Sequence, residues 1–486
     1  MKGDFHVRFC GKARVRFPCL TRLYDTLELH RTLKKPSMKT IFFLLIPLFT
    51  FSQVNLPSVP QPAQMPNYSN QNYSNPNNRN SVPNHSTQYF DVDKQRQQKQ
   101  YEQIMREVEQ NEKLQAETLK QIKKDVQELT DNKNIDYNFK SLSNIKGTEL
   151  YREVFDKMQT LNIENYSVRD VVFQIENAYF GNQQDKAEFD KIIKNTGEFL
   201  IAKMKELNYD TNSNSAKNFI LFEFFSETLQ LKSTGVKHLP LKYDFEDYRG
   251  IKDYSKMFVT KLLKTRTGQC HSMPLLYLIL AEQIQAEAYL SVCPEHSYIK
   301  FQDENGKWYN VELTNGMFTA TSLILNSGFI KSEALQNEIF MQNHTKAQLL
   351  SRMYSDLASG YVNKFGYDEF VEKVINKSLE LYPKNITSQM IKSNYETERF
   401  KYILKQLGIT PENKQDIQQL QNYPEAIEVL KKRNEQYQQI DDLGFEPMPA
   451  EAYEEWLTSL NTEKTKQENE KFKKQFKGLI IKGLKN

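Results

Sequence analysis

The stretch TGQCHSMPLLYLILAEQIQAEAYLSVCPEHSYIKF, residues 267–301, contains a helical segment that is apolar nearly all round, followed by two short strand-like runs. A helix without a polar face belongs in the interior of a domain. The run KWYNVEL, residues 307–313, indicates a third strand after the turn-rich segment QDENG. A buried helix followed by an antiparallel sheet predicts an α+β fold.

A cysteine stands at the predicted start of the buried helix. Gly268 permits a sharp entry, and Pro274 is acceptable in a first turn, where its missing N–H is not needed. The N-terminus of a helix presents positive potential and free N–H groups, which stabilise a thiolate and could hold an oxyanion. Acyl transfer needs both effects, so Cys270 is a candidate nucleophile.

A histidine and a glutamate follow in the next strands. His296 opens the second strand, 26 positions after Cys270, and Glu312 lies in the third. Glu312 can orient the imidazole only if both side chains lie on one face of the hairpin. A two-residue turn at Asn305-Gly306 would put them on opposite faces, whereas a three- or five-residue loop with a left-handed Gly306 would put them on the same face. A catalytic pair therefore predicts an odd-length or bulged turn.

This arrangement resembles the transglutaminase-like cysteine enzymes, a branch of the papain-like fold. The resemblance is carried by Gly268-Gln269-Cys270, His296, Trp308 twelve residues later, and Glu312-Leu313-Thr314 sixteen residues later. It implies a Cys270 nucleophile, a His296 general base and acid, and Glu312 as the residue that orients the imidazole. The family has Asp-Pro-Thr where this chain has Glu-Leu-Thr, and the extra methylene moves the carboxylate by about 1 Å.

Four neighbours are cleft or oxyanion candidates. Gln269 is a candidate oxyanion donor, and His271 is a first-turn residue that faces the cleft or solvent. Tyr298 shares the face of His296 and is a candidate pocket residue. Trp308 is a core residue or a cleft wall.

Other interpretations of Cys270 remain open. The chain could be an inactive descendant of such an enzyme, or Cys270 could form a disulfide with Cys293. A zinc site of Cys270, His271, Cys293 and His296 is disfavoured, because adjacent helical residues point about 100° apart and structural zinc sites usually use cysteine pairs with short spacing. We predict no metal and no cofactor, and Cys293 is interpreted as a core residue of its strand.

Residues 38–52, MKTIFFLLIPLFTFS, have the layout of a secretory signal peptide, with Lys39 before a short apolar run and small residues after it. The run is too short to span a bilayer. We therefore expect residues 1–37 not to belong to the native protein, and expect cleavage near Ser52 and export to the periplasm, cell envelope or medium. A cytosolic protein with a basic, apolar N-terminus is the alternative.

Export changes the charge balance. The full chain carries a net charge of +4; removing the +6 of residues 1–37 and the charge of Lys39 leaves about −3, which suggests no nucleic-acid partner. Only Cys270 and Cys293 then remain, too few for a disulfide scaffold.

The rest of the chain divides by composition. The predicted segments are a disordered Asn/Pro/Ser/Gln-rich linker (53–91), a long polar helix or coiled coil (92–133), a helical domain (134–236), the transglutaminase-like core (237–332), tetratricopeptide-like helices (333–410) and a helical C-terminal region with a basic tail (411–486). The tetratricopeptide-like helices are a candidate surface for a protein partner. The tail KFKKQFKGLIIKGLKN is expected to be solvated or loosely attracted to membranes, and no transmembrane span is predicted in the mature chain.

Two classes of function follow. The first is an exported cysteine-dependent acyl-transfer enzyme, of the peptidase, amidase or transglutaminase type, that acts on a peptide or protein amide through Cys270, His296 and Glu312. The second is a non-catalytic peptide-binding or scaffold protein of the cell envelope that uses the same cleft. Hydrolysis is favoured over crosslinking because water is always present in an open cleft. Residues 140–235 could act as a lid in either case.

Overall fold

The computed structural model describes residues 87–130, 135–459 and 462–482. The predicted signal peptide and most of the predicted linker lie outside these ranges. Helix α1 (Thr87–Thr130) is 44 residues long and begins five residues before the predicted start at position 92. The apolar side chains that are described in this helix are exposed, Leu114 to 64%.

Four helices occupy the region 134–236, where helices were predicted. They are α2 (Thr148–Gln159), α3 (Val168–Tyr179), α4 (Lys186–Glu206) and α5 (Asn214–Ser226). Side chains cap the last three: Ser167, Asp185 and Ser213 each accept a hydrogen bond from a backbone N–H in the first turn. Helix α5 is buried nearly all round, and its phenylalanines fill the centre of the core.

Short strands then bring the chain to the cysteine. Strands β1 (Leu229–Gln230) and β2 (Lys237–His238) pair antiparallel. Strand β3 (Lys242–Tyr243) pairs in parallel with β4 (Thr267–Gly268), with helix α6 (Val259–Thr265) between them. Tyr243 lies opposite Gly268 in this pairing, two residues before Cys270.

Helix α7 (Ser272–Ile284) is the apolar helix of the sequence. Every residue from Ser272 to Ala281 is buried, as its lack of a polar face predicted. The helix begins at Ser272 rather than at Cys270. The hydroxyl of Ser272 accepts a hydrogen bond from the backbone N–H of Gln269 at 2.9 Å, and this bond holds Cys270 in a tight turn just before the helix.

The sheet after α7 has four antiparallel strands in sequence order. They are β5 (Tyr289–Cys293), β6 (His296–Gln302), β7 (Trp308–Glu312) and β8 (Met317–Thr319). The last of them was not predicted. Helices α5 and α7 pack against β6. The helices and the sheet therefore form two packed layers, as in an α+β fold.

The hairpin between β6 and β7 confirms the predicted odd-length loop. Gln302 pairs with Trp308, which leaves residues 303–307 as a five-residue loop. Gly306 lies in the left-handed region at φ 83°. The same register places Glu312 opposite Tyr298 and therefore on the face of His296.

The C-terminal region is helical. Its helices are α8 (Thr321–Leu325), α9 (Ser332–Gln336), α10 (Lys346–Phe365), α11 (Glu369–Leu381), α12 (Ile386–Leu407), α13 (Lys414–Gln418), α14 (Pro424–Asp442), α15 (Ala450–Ser459) and α16 (Glu463–Lys482). Where the structure describes the basic tail, it is not a solvated appendage. Phe476 of α16 is 3% exposed and packs on Phe318 of β8, with ring centroids 5.5 Å apart.

Two smaller hydrophobic clusters, one around Ile403 and one around Phe340, accompany the large core that runs through most of the described chain after α1. The buried residues of the large core extend from Tyr151 in α2 to Ile480 in α16, and the described residues from 135 onward belong to one unit. The predicted boundaries at 236, 332 and 410 therefore do not separate independent cores. Among the described residues, none of the helices combines the length and apolar character needed to cross a membrane.

Candidate active site

Cys270 lies in the turn between β4 and α7 and is partly exposed. The turn needs Gly268, because a Cβ there would come within 2.9 Å of two neighbouring side chains. The hydroxyl of Ser297 donates a hydrogen bond to the carbonyl oxygen of Cys270, which ties the turn to strand β6. The thiol itself donates to the carbonyl oxygen of Glu295, at 3.7 Å.

His296 and Glu312 form a buried hydrogen-bonded pair. Nε2 of His296 lies 2.6 Å from Oε2 of Glu312, and the two residues are 5% and 2% exposed. The other carboxylate oxygen accepts a hydrogen bond from the backbone N–H of Thr314 at 2.8 Å. Both carboxylate oxygens are therefore occupied, and the imidazole is held in one orientation.

The electrostatics of the pair favour its charged form. Burial lowers the pKa of His296, but the charge of Glu312, with hydrogen bonds to Glu312 and Cys270, overrides burial and raises that pKa above its usual value. Burial raises the pKa of Glu312, but the charge and hydrogen bond of His296 lower it below its usual value. The site can therefore hold an imidazolium beside a carboxylate, as a Cys-His acyl-transfer centre requires.

Nδ1 of His296 faces two tyrosines. The hydroxyl of Tyr453, from helix α15, lies 3.1 Å from Nδ1, and it lies 3.0 Å from the hydroxyl of Tyr243 on β3. Burial raises the pKa of both tyrosines well above its usual value, and the neighbouring Cys270 raises it further. The thiol, both hydroxyls and the imidazole thus form one polar cluster.

Helix α15 covers this cluster. Trp456 sets its ring edge-on to the imidazole of His296, with centroids 5.1 Å apart, and its Nε1–H donates to the carbonyl oxygen of Leu323 at 3.1 Å. At the rim of the site, the hydroxyl of Tyr248 donates to Glu454 at 2.9 Å. The region proposed from sequence as a lid, residues 140–235, supplies none of these contacts to His296.

Tyr243, Tyr453 and Trp456 were not predicted from the sequence. Tyr453 is 157 residues from His296, and a contact of that separation leaves no local pattern. One signal was present: Tyr453 and Trp456 are three residues apart on a helix, the spacing that places two aromatic rings on one face. That spacing predicts a buried face without saying what the face covers.

Two of the predicted cleft residues, Gln269 and His271, make other contacts in the structure. Gln269 is fully buried, and its side-chain N–H donates to the carbonyl oxygen of Asp247 at 2.8 Å, so this amide does not point at an oxyanion. His271 is half-buried, with Nε2 3.5 Å from Asp356, and it lines a small enclosed cavity rather than an open cleft.

The other two predicted cleft residues, Tyr298 and Trp308, lie on strands of the sheet. Tyr298 shares the face of His296, as predicted, but it is only 1% exposed and belongs to the core rather than to an open pocket. Trp308 is 40% exposed at the outer end of the hairpin. Its ring packs against Tyr289 at 5.6 Å and lies under the ammonium group of Lys300, so it is neither core nor cleft wall.

The structure also bears on the other interpretations of the cysteines. Cys270 and Cys293 are both free, and Cys293 is a buried strand residue paired with His296. Within the described ranges, no group of three histidine, cysteine or acidic side chains could hold a metal ion. The zinc and disulfide alternatives therefore find no support here.

The cluster contains the parts that acyl transfer needs: a partly exposed thiol, a buried imidazole beside it and a carboxylate that orients the imidazole. No family model matches the chain, and neither does any curated protein or solved structure. Its function must therefore be inferred from its own residues.

Proposed function

We propose that the chain is a cysteine-dependent acyl-transfer enzyme with a transglutaminase-like, papain-like core, acting on a peptide or protein amide. Cys270 is the nucleophile, His296 the general base and acid, and Glu312 the residue that orients the imidazole. The observation that carries the proposal is the 2.6 Å bond from Nε2 of His296 to Glu312, made beside the turn that holds a partly exposed thiol.

The geometry supports the following route for each proton. Glu312 occupies Nε2, so Nδ1 of His296 receives the thiol proton of Cys270; the thiolate and the imidazolium form as a pair, and the sulfur then attacks the carbonyl carbon of the amide. The C–N bond then breaks, the imidazolium gives its proton to the leaving amine, and a thioester remains on the sulfur. Water or a second amine attacks this thioester, with His296 again taking and returning a proton, and the free thiol is restored.

The oxyanion formed during the attack needs donors close to the sulfur. The hydroxyl of Tyr243 lies in the same cluster as Cys270, and the backbone N–H groups of the turn that carries Cys270 are further candidate donors. A hydrogen bond from Tyr243 to the oxyanion would be made only in the transition state, the kind of interaction that accelerates a reaction. Hydrolysis is the proposed outcome, because the partly exposed thiol is accessible to water.

The proposed location and partners follow from the sequence. A chain exported by residues 38–52 would meet peptides or crosslinked envelope material in the periplasm, at the cell envelope or outside the cell. The helices of residues 333–410 remain a proposed surface for a protein partner.

One observation favours a second candidate, a non-catalytic peptide-binding or scaffold protein. His296 is only 5% exposed, its Nδ1 is bonded to Tyr453, and the thiol donates to the carbonyl oxygen of Glu295. A protein that had lost its chemistry could keep such a cluster as part of its core.

The rate at which iodoacetamide alkylates Cys270 distinguishes the acyl-transfer enzyme from the non-catalytic protein. Cys270 and Cys293 fall on one tryptic peptide, residues 267–300, so the rate is measured by mass spectrometry in a Cys293→Ser background. If the chain is an acyl-transfer enzyme, His296→Gln should slow alkylation of Cys270 near neutral pH by about tenfold or more, because the general base is lost. Glutamine still donates to Glu312, so the packing is retained, and a thermal melt of each variant checks the fold.

If His296→Gln folds normally and Cys270 reacts at the same rate in both proteins, the pair does no chemistry. The second candidate would then replace the first. Reactivity that depends on His296 would instead justify a screen of peptide amides and envelope fragments as substrates.

A further inference from the structure

A single nitrogen of His296 is available for proton exchange, and it has a partner already. Nε2 is committed to Glu312. Nδ1 carries either one lone pair or one proton, so it makes one good hydrogen bond. The hydroxyl of Tyr453, 3.1 Å away, makes that bond.

The thiol has two partners to choose between: the imidazole of His296, whose pKa a hydrogen bond with Cys270 raises, and a backbone carbonyl. The sulfur of Cys270 donates to the carbonyl oxygen of Glu295 at 3.7 Å. Glu295 stands in the turn just before β6, with φ 57°, so this carbonyl is presented by a tight turn next to His296. Cys270 is nonetheless close enough to the imidazole to raise its pKa. The thiol and the tyrosine hydroxyl are therefore rivals for one nitrogen.

Tyr453 is firmly held in this position. It is 1% exposed, and its hydroxyl makes a second hydrogen bond to Tyr243 at 3.0 Å. The ring of Tyr248 packs on that of Tyr453 with centroids 5.3 Å apart, while Trp456 covers the imidazole. These rings cover the imidazole of His296, which is 5% exposed, whereas the sulfur is partly exposed.

We infer that Tyr453 keeps the site partly latent: helix α15 closes it from within the chain, and Cys270 reaches its full reactivity only when the Tyr453 hydroxyl leaves Nδ1. This inference rests on the proposed function, because it concerns the same Cys270–His296 pair. When the hydroxyl leaves, the thiol donates to Nδ1 instead of to Glu295, and its proton passes to the imidazole as the thiolate forms. Tyr453 keeps its own proton, and the Tyr243 hydroxyl is released to serve an oxyanion.

The test is Tyr453→Phe in the full chain with the Cys293→Ser background. The substitution removes one oxygen and keeps the ring that packs on Tyr248 and Trp456. We expect iodoacetamide to alkylate Cys270 about three- to tenfold faster, the range that corresponds to losing one competing hydrogen bond. Adding His296→Gln to Tyr453→Phe should cancel the gain.

Tyr151→Phe is the matched control. Tyr151 is fully buried among Tyr361 and Phe365, and its hydroxyl makes no hydrogen bond to the described residues. It should leave the alkylation rate unchanged, and thermal melts of all variants report whether each has folded.

The outcomes separate this inference from the proposed function. If Tyr453→Phe reacts at the wild-type rate while His296→Gln still slows alkylation, the pair is real but Tyr453 does not restrain it. If Tyr453→Phe falls to the rate of His296→Gln, Tyr453 passes the proton between sulfur and imidazole, and latency is overturned. If His296→Gln has no effect in either background, the proposed function itself fails.

Discussion

Nε2 of His296 lies 2.6 Å from Oε2 of Glu312, sixteen residues further along the chain. The bond exists because five residues join β6 to β7 and place both side chains on one face. A loop one residue shorter would turn Glu312 to the opposite face. The loop length thus determines whether the imidazole has a carboxylate partner.

Replacing Glu312 tests whether glutamate is required where the resembled family has aspartate. Glu312→Asp should slow alkylation of Cys270 by about tenfold, because the carboxylate withdraws by about 1 Å and cannot reach both Nε2 and the N–H of Thr314. Glu312→Gln keeps the length but loses the charge that stabilises the imidazolium, and it should slow alkylation at least as much. The rate is measured on the same tryptic peptide.

An aspartate variant that matches the wild-type rate would show that strand β7 adjusts to the shorter side chain. It would also show that the departure from the family pattern carries no functional weight. Both variants need thermal melts, since each alters a buried pair.

The hairpin was predictable because its constraints are local. Alternation along a strand and the parity of the turn decide which face Glu312 occupies, and both can be deduced from residues 296–312. The start of α7 was misplaced by two residues. The hydroxyl of Ser272 accepts a hydrogen bond from the backbone N–H of Gln269 and holds Cys270 in a turn before the helix, and sequence spacing does not show this bond. The buried helix and strands β5, β6 and β7 were also predictable, whereas strand β8 and the packing of Phe476 in the tail were not.

The cover over the site could not be predicted from sequence, for a different reason. Tyr453 meets His296 across 157 residues, and Trp456 meets Leu323 across 133. Such contacts are set by how the last helices pack on the core, and a single sequence contains no periodicity that pairs them. Trp308 illustrates the same limit, since its spacing from His296 fits the resembled family while its side chain lies at the exposed end of the hairpin.

The charged pair of His296 and Glu312 should stabilise the fold most strongly within a limited range of pH. The folded pKa of His296 is raised, so its contribution is full below the unfolded value of about 6.5 and is lost as pH rises through the folded pKa. The folded pKa of Glu312 is lowered, so its contribution is full above about 4.3 and is lost as pH falls through the folded pKa. The pair should therefore stabilise most between about pH 4.3 and 6.5.

Urea unfolding of wild type and His296→Gln at several pH values measures this window. The difference in free energy of unfolding between the two proteins should be largest near the middle of it and should shrink at both higher and lower pH. A difference that stays constant across the range would mean that the pair is not ionised in the folded state.

Gly306→Ala tests the loop that sets the register. No atom lies closer than 3.5 Å to a Cβ built at Gly306, but its φ of +83° disfavours any L side chain. The cost should therefore be conformational, about 1 kcal/mol of unfolding free energy. Gly478→Ala is a control of opposite sign: it lies in α16 with open space around it and no positive φ, so alanine should stabilise by up to about 1 kcal/mol. Equal effects at the two positions would contradict this account.

Glu176 holds the helix that leads to the cysteine. Its carboxylate accepts hydrogen bonds from the backbone N–H groups of Val259 and Thr260, at 2.7 and 2.8 Å, at the start of α6. Glu176→Ala leaves both buried donors unsatisfied and should lower the free energy of unfolding by about 2–3 kcal/mol. Glu176→Gln retains one acceptor oxygen and should cost less. Urea denaturation orders the two variants, and an alanine variant as stable as wild type would show that water replaces the carboxylate.

The hydrogen bond between Tyr248 and Glu454 should determine how often helix α15 opens. It lies at the rim of the site, with Glu454 exposed, so breaking it loosens the helix without touching His296. Tyr248→Phe should speed hydrogen exchange of the amides of α15 and alkylation of Cys270, each by about two- to fivefold, while total stability changes by no more than about 1 kcal/mol. Glu454→Gln keeps an acceptor oxygen for the tyrosine hydroxyl and is the matched control, with a smaller effect on both rates. Faster exchange in α15 without faster alkylation would show that the helix can loosen while Tyr453 stays on Nδ1, and that the hydroxyl rather than the helix restrains the thiol.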